Sequence, residues 1–325
     1  MGAEYATAYM DFWTQPGGRH AGDRPAALAD ILRLPLPDPM WFEYAMSANQ
    51  RGRELANLVM AHPGRPRVIN RVLDVGCGFG GVLATFARLG AGVCGLEIDP
   101  VRVALSRANC RDAGCPDAVR QGDVLDEALV GALGTFDLIT MIDVIEHVLD
   151  VPKALVHATS LLAPGGMLWL EIPNRHSVRF VARDGHFSLF GITLLDREDA
   201  RAYHGAMFSY AYDVGDYHEL WYYRDFLEQR GCVFSQAAPL NASHPRELPA
   251  LIRDLDEQMT RYSADIRPRV PQQVDATLRT RLSDYRAALD RDERAMRADA
   301  RAEPAFREKY LVDFWRAIAT RPVRG

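Results

Sequence analysis

From Arg67 onward, short runs rich in Val, Ile and Leu alternate with stretches whose apolar residues recur at helical spacing. That alternation predicts a parallel sheet with crossover helices. Strands are expected at Arg71 to Val75, Gly92 to Ile98, Ala118 to Gln121, Phe136 to Ile142 and Met167 to Ile172. Right-handed crossovers would make this a doubly wound α/β sheet, with a ligand site beyond the C-terminal strand ends.

Residues 1–66 form a helical lead-in, with a proline-rich turn at Leu34 to Pro39 and a helix from Trp41 to Met60 that ends before His62-Pro-Gly-Arg-Pro66. Residues 67–245 make the core. Within it, 174–217 is an aromatic insertion of the kind that serves as a lid or binding loop. A helix from Tyr222 to Arg230 ends at Gly231, and a strand follows over Cys232 to Ala237. Residues 246–311 are expected to be a helical insertion, in which Val274, Leu278, Leu282, Tyr285 and Leu289 share one stripe. That stripe either docks on the rest of the chain or joins two copies as a homodimer. The last strand, Val312 to Thr320, lies within residues 312–325 and returns the chain to the core.

With 325 residues, 48% of them apolar, the chain is long enough for one large domain or two small ones. Its N-terminus has no signal-peptide pattern, and no apolar run is long enough to span a bilayer, so a cytoplasmic protein without a membrane partner is expected. The five cysteines show no C-x-x-C pair and no framework, and read as reduced thiols. A net charge of −5 argues against nucleic acid as a partner. No clustered metal ligands are visible, so no metal is expected.

The segment Val72-Leu-Asp-Val-Gly-Cys-Gly-Phe-Gly-Gly81 runs a strand into a glycine-rich turn that opens a helix. Gly76 and Gly78 let a ligand touch the backbone and permit positive φ. Gly76, Gly78 and Gly81 also satisfy the G-x-G-x-x-G of nicotinamide and flavin enzymes. Asp74 separates the readings, because a carboxylate here would repel a pyrophosphate at the helix N-terminus. It would favour S-adenosylmethionine (SAM), which has no phosphate and carries an ammonium group and a sulfonium. Glu97, 21 residues after Gly76, ends the second strand where a carboxylate can bind both ribose hydroxyls, with Ile98 against the adenine. Asp99, before Pro100, suits the N-cap of the next helix. Asp123, in Gly-Asp-Val124, would take the adenine amino group.

These stretches, together with DVIEHV after the fourth strand and LLAPGGMLWLEIPN, resemble class I SAM-dependent methyltransferases, and most nearly the group of the ubiquinone-biosynthesis O-methyltransferases. The resemblance covers residues 68–174 in detail. It implies a mostly parallel seven-stranded sheet with an antiparallel last strand. It also implies that Gly76 and Gly78 lie at the methionine moiety, Glu97 at the ribose, Asp123 and Val124 at the adenine edge, and Asp143 beside the sulfonium, with Cys77 of the glycine turn among the cofactor-binding residues. The insertions 174–217 and 246–311 depart from the simplest members.

Methyl transfer to a hydroxyl needs a base, which makes His147, His218 and His186 the candidate catalytic residues. Tyr222, Trp221 and Phe187 are candidates for acceptor binding. The expected reaction is transfer to a small-molecule acceptor, an oxygen of a sugar, biosynthetic intermediate or secondary metabolite. Transfer to nitrogen, a nicotinamide oxidoreductase and a non-catalytic SAM-binding partner subunit are the alternatives.

Overall fold

The computed structural model describes residues 2–14, 22–23 and 38–323. Most of the proline-rich turn expected at Leu34 to Pro39 therefore lies outside the described residues. The lead-in forms α1 (Ala3–Thr14), α2 (Asp38–Met46) and α3 (Ala48–Ala61). The single helix expected over Trp41 to Met60 is thus two. At the break, the Ser47 hydroxyl donates back to the Glu43 carbonyl at 2.7 Å, a local bond that competes with a continuous helix.

The core runs β1 (Arg71–Val75), α4 (Gly81–Arg88), β2 (Gly92–Glu97), α5 (Pro100–Asp112), β3 (Val119–Gln121), α6 (Glu127–Gly131), β4 (Phe136–Ile142), α7 (Val151–Ser160) and β5 (Leu162–Pro173). After the first insertion come α10 (Leu220–Gln229), β6 (Val233–Gln236) and β7 (Leu240–Ala242), and β8 (Val312–Thr320) closes the sheet. The spatial order is β3-β2-β1-β4-β5-β8-β6. Strands β1 to β5 are mutually parallel, and β8 lies antiparallel between β5 and β6. The sheet has eight strands rather than seven, because short β7 pairs with the free end of β8.

Alternation fixes the faces. Leu73, Val75, Ile139 and Met141 pack on the side of α7 and α10, while Val72, Leu138, Trp169 and Ile318 pack on the side of α3 and α4. Two boundaries differ from expectation. β2 stops at Glu97 because that carboxylate accepts the Asp99 N–H and turns the chain. β5 starts earlier than Met167, with a register shift that accommodates Gly165-Gly166 opposite β4.

The aromatic insertion is folded and not an open loop. It carries α8 (Val178–Ala182) and α9 (Arg197–Met207). The second insertion carries α11 (Leu248–Arg261), the long α12 (Gln272–Ala298) and α13 (Glu303–Tyr310). The two insertions share a core of their own, in which Val178, Phe190, Tyr203, Leu255, Leu278 and Leu289 join one cluster. All five stripe residues of α12 are buried inside the chain, so this stripe does not supply a homodimer face. Among the described residues, no helix is long and apolar enough to cross a membrane.

Candidate functional site

The glycine turn after β1 has the geometry its sequence demands. Gly76 and Gly78 have φ of +66° and +50°, and a Cβ at Gly76 would strike the Val144 side chain. Asp74, 4% exposed, accepts the Thr140 hydroxyl at 2.7 Å. Burial pushes its carboxyl up to about 7, against the Thr140 hydrogen bond and aided by the Glu97 charge. The folded protein therefore holds a proton that an unfolded Asp74, at its ordinary 3.8, would release. Between these two values folding takes up a proton, so the cofactor-free protein should lose stability as pH rises through that window. Melting temperatures across the window should show this slope in the wild type and a flatter one in Asp74→Asn.

Glu97, also 4% exposed, accepts the Gly78 N–H at 2.9 Å and the Asp99 N–H at 3.0 Å. The next residue, Ile98, is 65% exposed and open to pack against a flat ring. Asp99 caps α5 by accepting the Val101 and Arg102 N–H groups, as its place before Pro100 implies. Asp123 is exposed, with one oxygen accepting the Leu125 N–H at 2.8 Å.

Two expected cofactor residues face elsewhere. The Cys77 side chain is buried among Leu83, Val103 and Cys110, and burial holds its thiol well above the usual range. Only its backbone lies along the turn, with the N–H given to Leu96. The Val124 side chain belongs to the main core and its carbonyl takes the His157 ring at 2.7 Å. A small apolar side chain after a Gly-Asp turn is as useful to the core as to a ligand, and here the core has it.

Asp143, just past β4, has φ of +52°, a conformation that a non-glycine residue holds only when its surroundings enforce it. The Tyr44 hydroxyl donates to its Oδ2 at 2.9 Å, while Oδ1 is buried with no partner. Burial pushes the carboxyl up to about 7, the Glu146 charge adds to this, and the Tyr44 hydrogen bond opposes it. The Arg51 guanidinium lies 3.2 Å from the centre of the Tyr44 ring. The helical lead-in thus reaches the end of β4, which nothing in its own sequence announced.

The turn Ile145–His147 brings Glu146 and His147 beside His186 of the first insertion. The two histidine rings sit edge to face with centroids 5.0 Å apart. His147 Nδ1 is 2.9 Å from the Asp213 carbonyl. A carbonyl only accepts, so Nδ1 carries a proton and, in the neutral ring, Nε2 keeps its lone pair. His186 Nε2 is 3.8 Å from Glu146 Oε1, and its Nδ1 is 3.1 Å from the Tyr217 hydroxyl. Burial lowers the His186 pKa, but Glu146, Asp184 and Asp143 outweigh it and leave the ring above its ordinary value. Glu146 is 1% exposed, and both carboxylate oxygens lack a hydrogen-bond donor.

Glu146, His147 and His186 offer ligand atoms all within 4.8 Å of one another. The chain therefore has a grouping able to hold a cation, contrary to the expectation of no clustered ligands. Its third member comes from a distant insertion, so spacing in the sequence could not reveal it.

His218 stands apart from this pair. Its ring stacks on Tyr222 with centroids 4.0 Å apart, and burial lowers its pKa. Trp221, 55% exposed, lines a separate recess with Phe234 and Trp315. Phe187 packs with His204 and Tyr212 inside the insertion's aromatic cluster. Trp221 and Tyr222 are consecutive residues in the first turn of α10, so their side chains point in different directions, and Tyr222 meets His218 rather than the His147–His186 pair.

The relatives fit this geometry. A family model described as a methyltransferase domain matches residues 47–238, more than half of the chain. The ubiquinone biosynthesis O-methyltransferase of Xanthomonas axonopodis pv. citri (strain 306) is 41% identical over 34% of this chain and 46% of that protein. The one from Methylobacterium nodulans is 35% identical over 35% of this chain and 45% of that protein. The chain thus spans about half the length of the curated relatives it matches. A SAM-bound amino pentose methyltransferase from Micromonospora echinaspora is 29% identical over 42% of this chain and 56% of that one, with a TM-score of 0.33. The chain belongs to the methyltransferase-domain family, as a class I SAM-dependent methyltransferase by its fold and motifs.

Proposed function

We propose that this protein transfers the methyl group of SAM to a hydroxyl of a small-molecule acceptor, with His147 as the general base. The observation that carries this reading is the His147 ring, held in one tautomer by Asp213 with its Nε2 free, five residues past the β4 end. The curated relatives are named as O-methyltransferases, which agrees with an oxygen acceptor.

The residues beyond β1, β2 and β4 suit the donor. The turn at Gly76 and Gly78 leaves no side chain between backbone and ligand, and the buried orphan Oδ1 of Asp143 fits a neighbouring cation. Asp74 and Asp143 would face the ammonium and sulfonium, and Glu97 the ribose. When bound, SAM supplies a methyl group already activated by a positively charged sulfur. The protein's part is then to align the acceptor oxygen, remove its proton and exclude water, and alignment alone contributes effective molarities of about 10⁵ to 10⁸ M. His147 Nε2 takes the acceptor proton. Glu146 and Tyr217 hold His186 beside it, and the insertions 174–217 and 246–311 form the acceptor cap over the core.

Hydrogen bonds to a charged carboxylate are worth about 1.5 to 3 kcal/mol each, so Glu97→Ala should weaken SAM binding by at least about tenfold. Calorimetric titration of that variant checks it, and an undiminished affinity would remove Glu97 from the site.

A second reading is favoured by the bare oxygens of buried Glu146. In that reading Glu146, His147 and His186 would hold a divalent cation, which would supply acidification of an acceptor hydroxyl.

A further inference from the structure

A cavity of about 430 Å³ opens between the end of the first insertion and α12. That is within the usual range for small-molecule sites, about 300 to 1,000 Å³. Gly215 and Tyr217 line it. The same Gly215 donates its N–H to the Glu146 carbonyl, and the Tyr217 hydroxyl meets His186. One short segment therefore touches both the cavity and the histidine pair.

The charges around the cavity are unevenly paired. Lys309 binds Asp292 at 3.1 Å, Glu219 lies 3.9 Å from His176, and Asp196 caps α9. Arg175 differs. Its Nη1 donates to the Tyr217 carbonyl at 3.0 Å and its Nη2 to the Leu195 carbonyl at 3.5 Å, while Nε is buried with no acceptor. Arg281, exposed at the rim, has no hydrogen bond or ion pair among the described residues, and Arg197 has none either. The carboxylates Asp216 and Asp284 are exposed to water, and Glu219 and Asp216 act on Arg175 only through space without a hydrogen bond, so its buried Nε is left without an acceptor. A guanidinium bonded only to neutral carbonyls keeps a charge that an oxyanion would complete, and its planar fork suits a carboxylate or phosphate.

We propose that this cavity is the acceptor subsite and that it holds an anionic group of the acceptor, a carboxylate or phosphate, on Arg175 with Arg281 at the mouth. The acceptor's nucleophilic oxygen then extends past Tyr217 to His147. This rests on the methyl-transfer reading and adds the chemical class of its acceptor.

Calorimetric titration of the whole chain with benzoate, inorganic phosphate and neutral benzyl alcohol, at constant ionic strength, tests it. At least one anion should bind about tenfold or more tightly than benzyl alcohol, and which one binds distinguishes carboxylate from phosphate. That affinity should fall about tenfold in Arg175→Gln and in the surface variant Arg281→Gln, which keeps the test open if the buried substitution misfolds. No binding of either anion, or an affinity unchanged in Arg281→Gln, would overturn the proposal. S-adenosylhomocysteine is titrated alongside. Its binding without anion binding sinks only the subsite, whereas its failure to bind sinks the methyl-transfer reading and leaves the anion result to stand by itself.

Discussion

Replacing His147 by alanine should lower kcat for a hydroxyl acceptor by about 10² to 10⁴, the usual contribution of a positioned general base. Affinity for S-adenosylhomocysteine should be unchanged. The expectation follows from one contact, because the Asp213 carbonyl fixes the proton on Nδ1 and leaves Nε2 as the only ring atom able to accept. His147→Gln keeps a side chain of similar reach but no base, so it should be nearly as slow as the alanine variant. Turnover of the wild type before and after dialysis against a chelator separates the two proton-removal readings. Full activity without metal leaves His147 as a free base. Activity lost on chelation and restored by a divalent cation assigns Glu146, His147 and His186 to that ion. An acceptor methylated equally fast by wild type and His147→Ala would refute both.

Arg316→Ala should destabilise the fold by about 3 to 5 kcal/mol, the range for removing one partner of a buried ion pair. Glu171 and Arg316 are register partners on β5 and β8, their charged groups 2.9 Å apart and their side chains only 7% and 12% exposed. Without the guanidinium, Glu171 is a largely buried charge with no counterion. Urea unfolding should show a lower midpoint with an unchanged slope. Replacing both residues by leucine should recover much of the loss, since a well-packed apolar pair is often as stable as the ions it replaces. A midpoint unmoved in Arg316→Ala would mean that the pair does not hold β8 to β5.

The sheet was legible because its signals are local. β1, β4 and β8 follow from the Arg71, Phe136 and Val312 runs, and Asp74, Gly76 and Glu97 follow from fixed spacing around one turn. What escaped depends on distant contact. His186 reaches His147 only because the insertion folds back over β4, and Tyr44 reaches Asp143 only because α2 packs there. Glu146 could have been singled out, since an acid directly before a candidate base is a local signal. Arg175 could not, because its value lies in a cavity that α12 closes from the other end of the chain. Cys77 and Val124 show how one position can serve two purposes. Their positions follow the family pattern, but their side chains complete the core.

The most direct measurement of the central claim is a calorimetric titration of the purified chain with S-adenosylhomocysteine and, separately, with NAD. S-Adenosylhomocysteine should bind with micromolar affinity, and NAD should not bind, because a carboxylate at Asp74, two residues before the glycine turn, disfavours a pyrophosphate at that helix N-terminus. Binding of NAD without binding of S-adenosylhomocysteine would contradict the account.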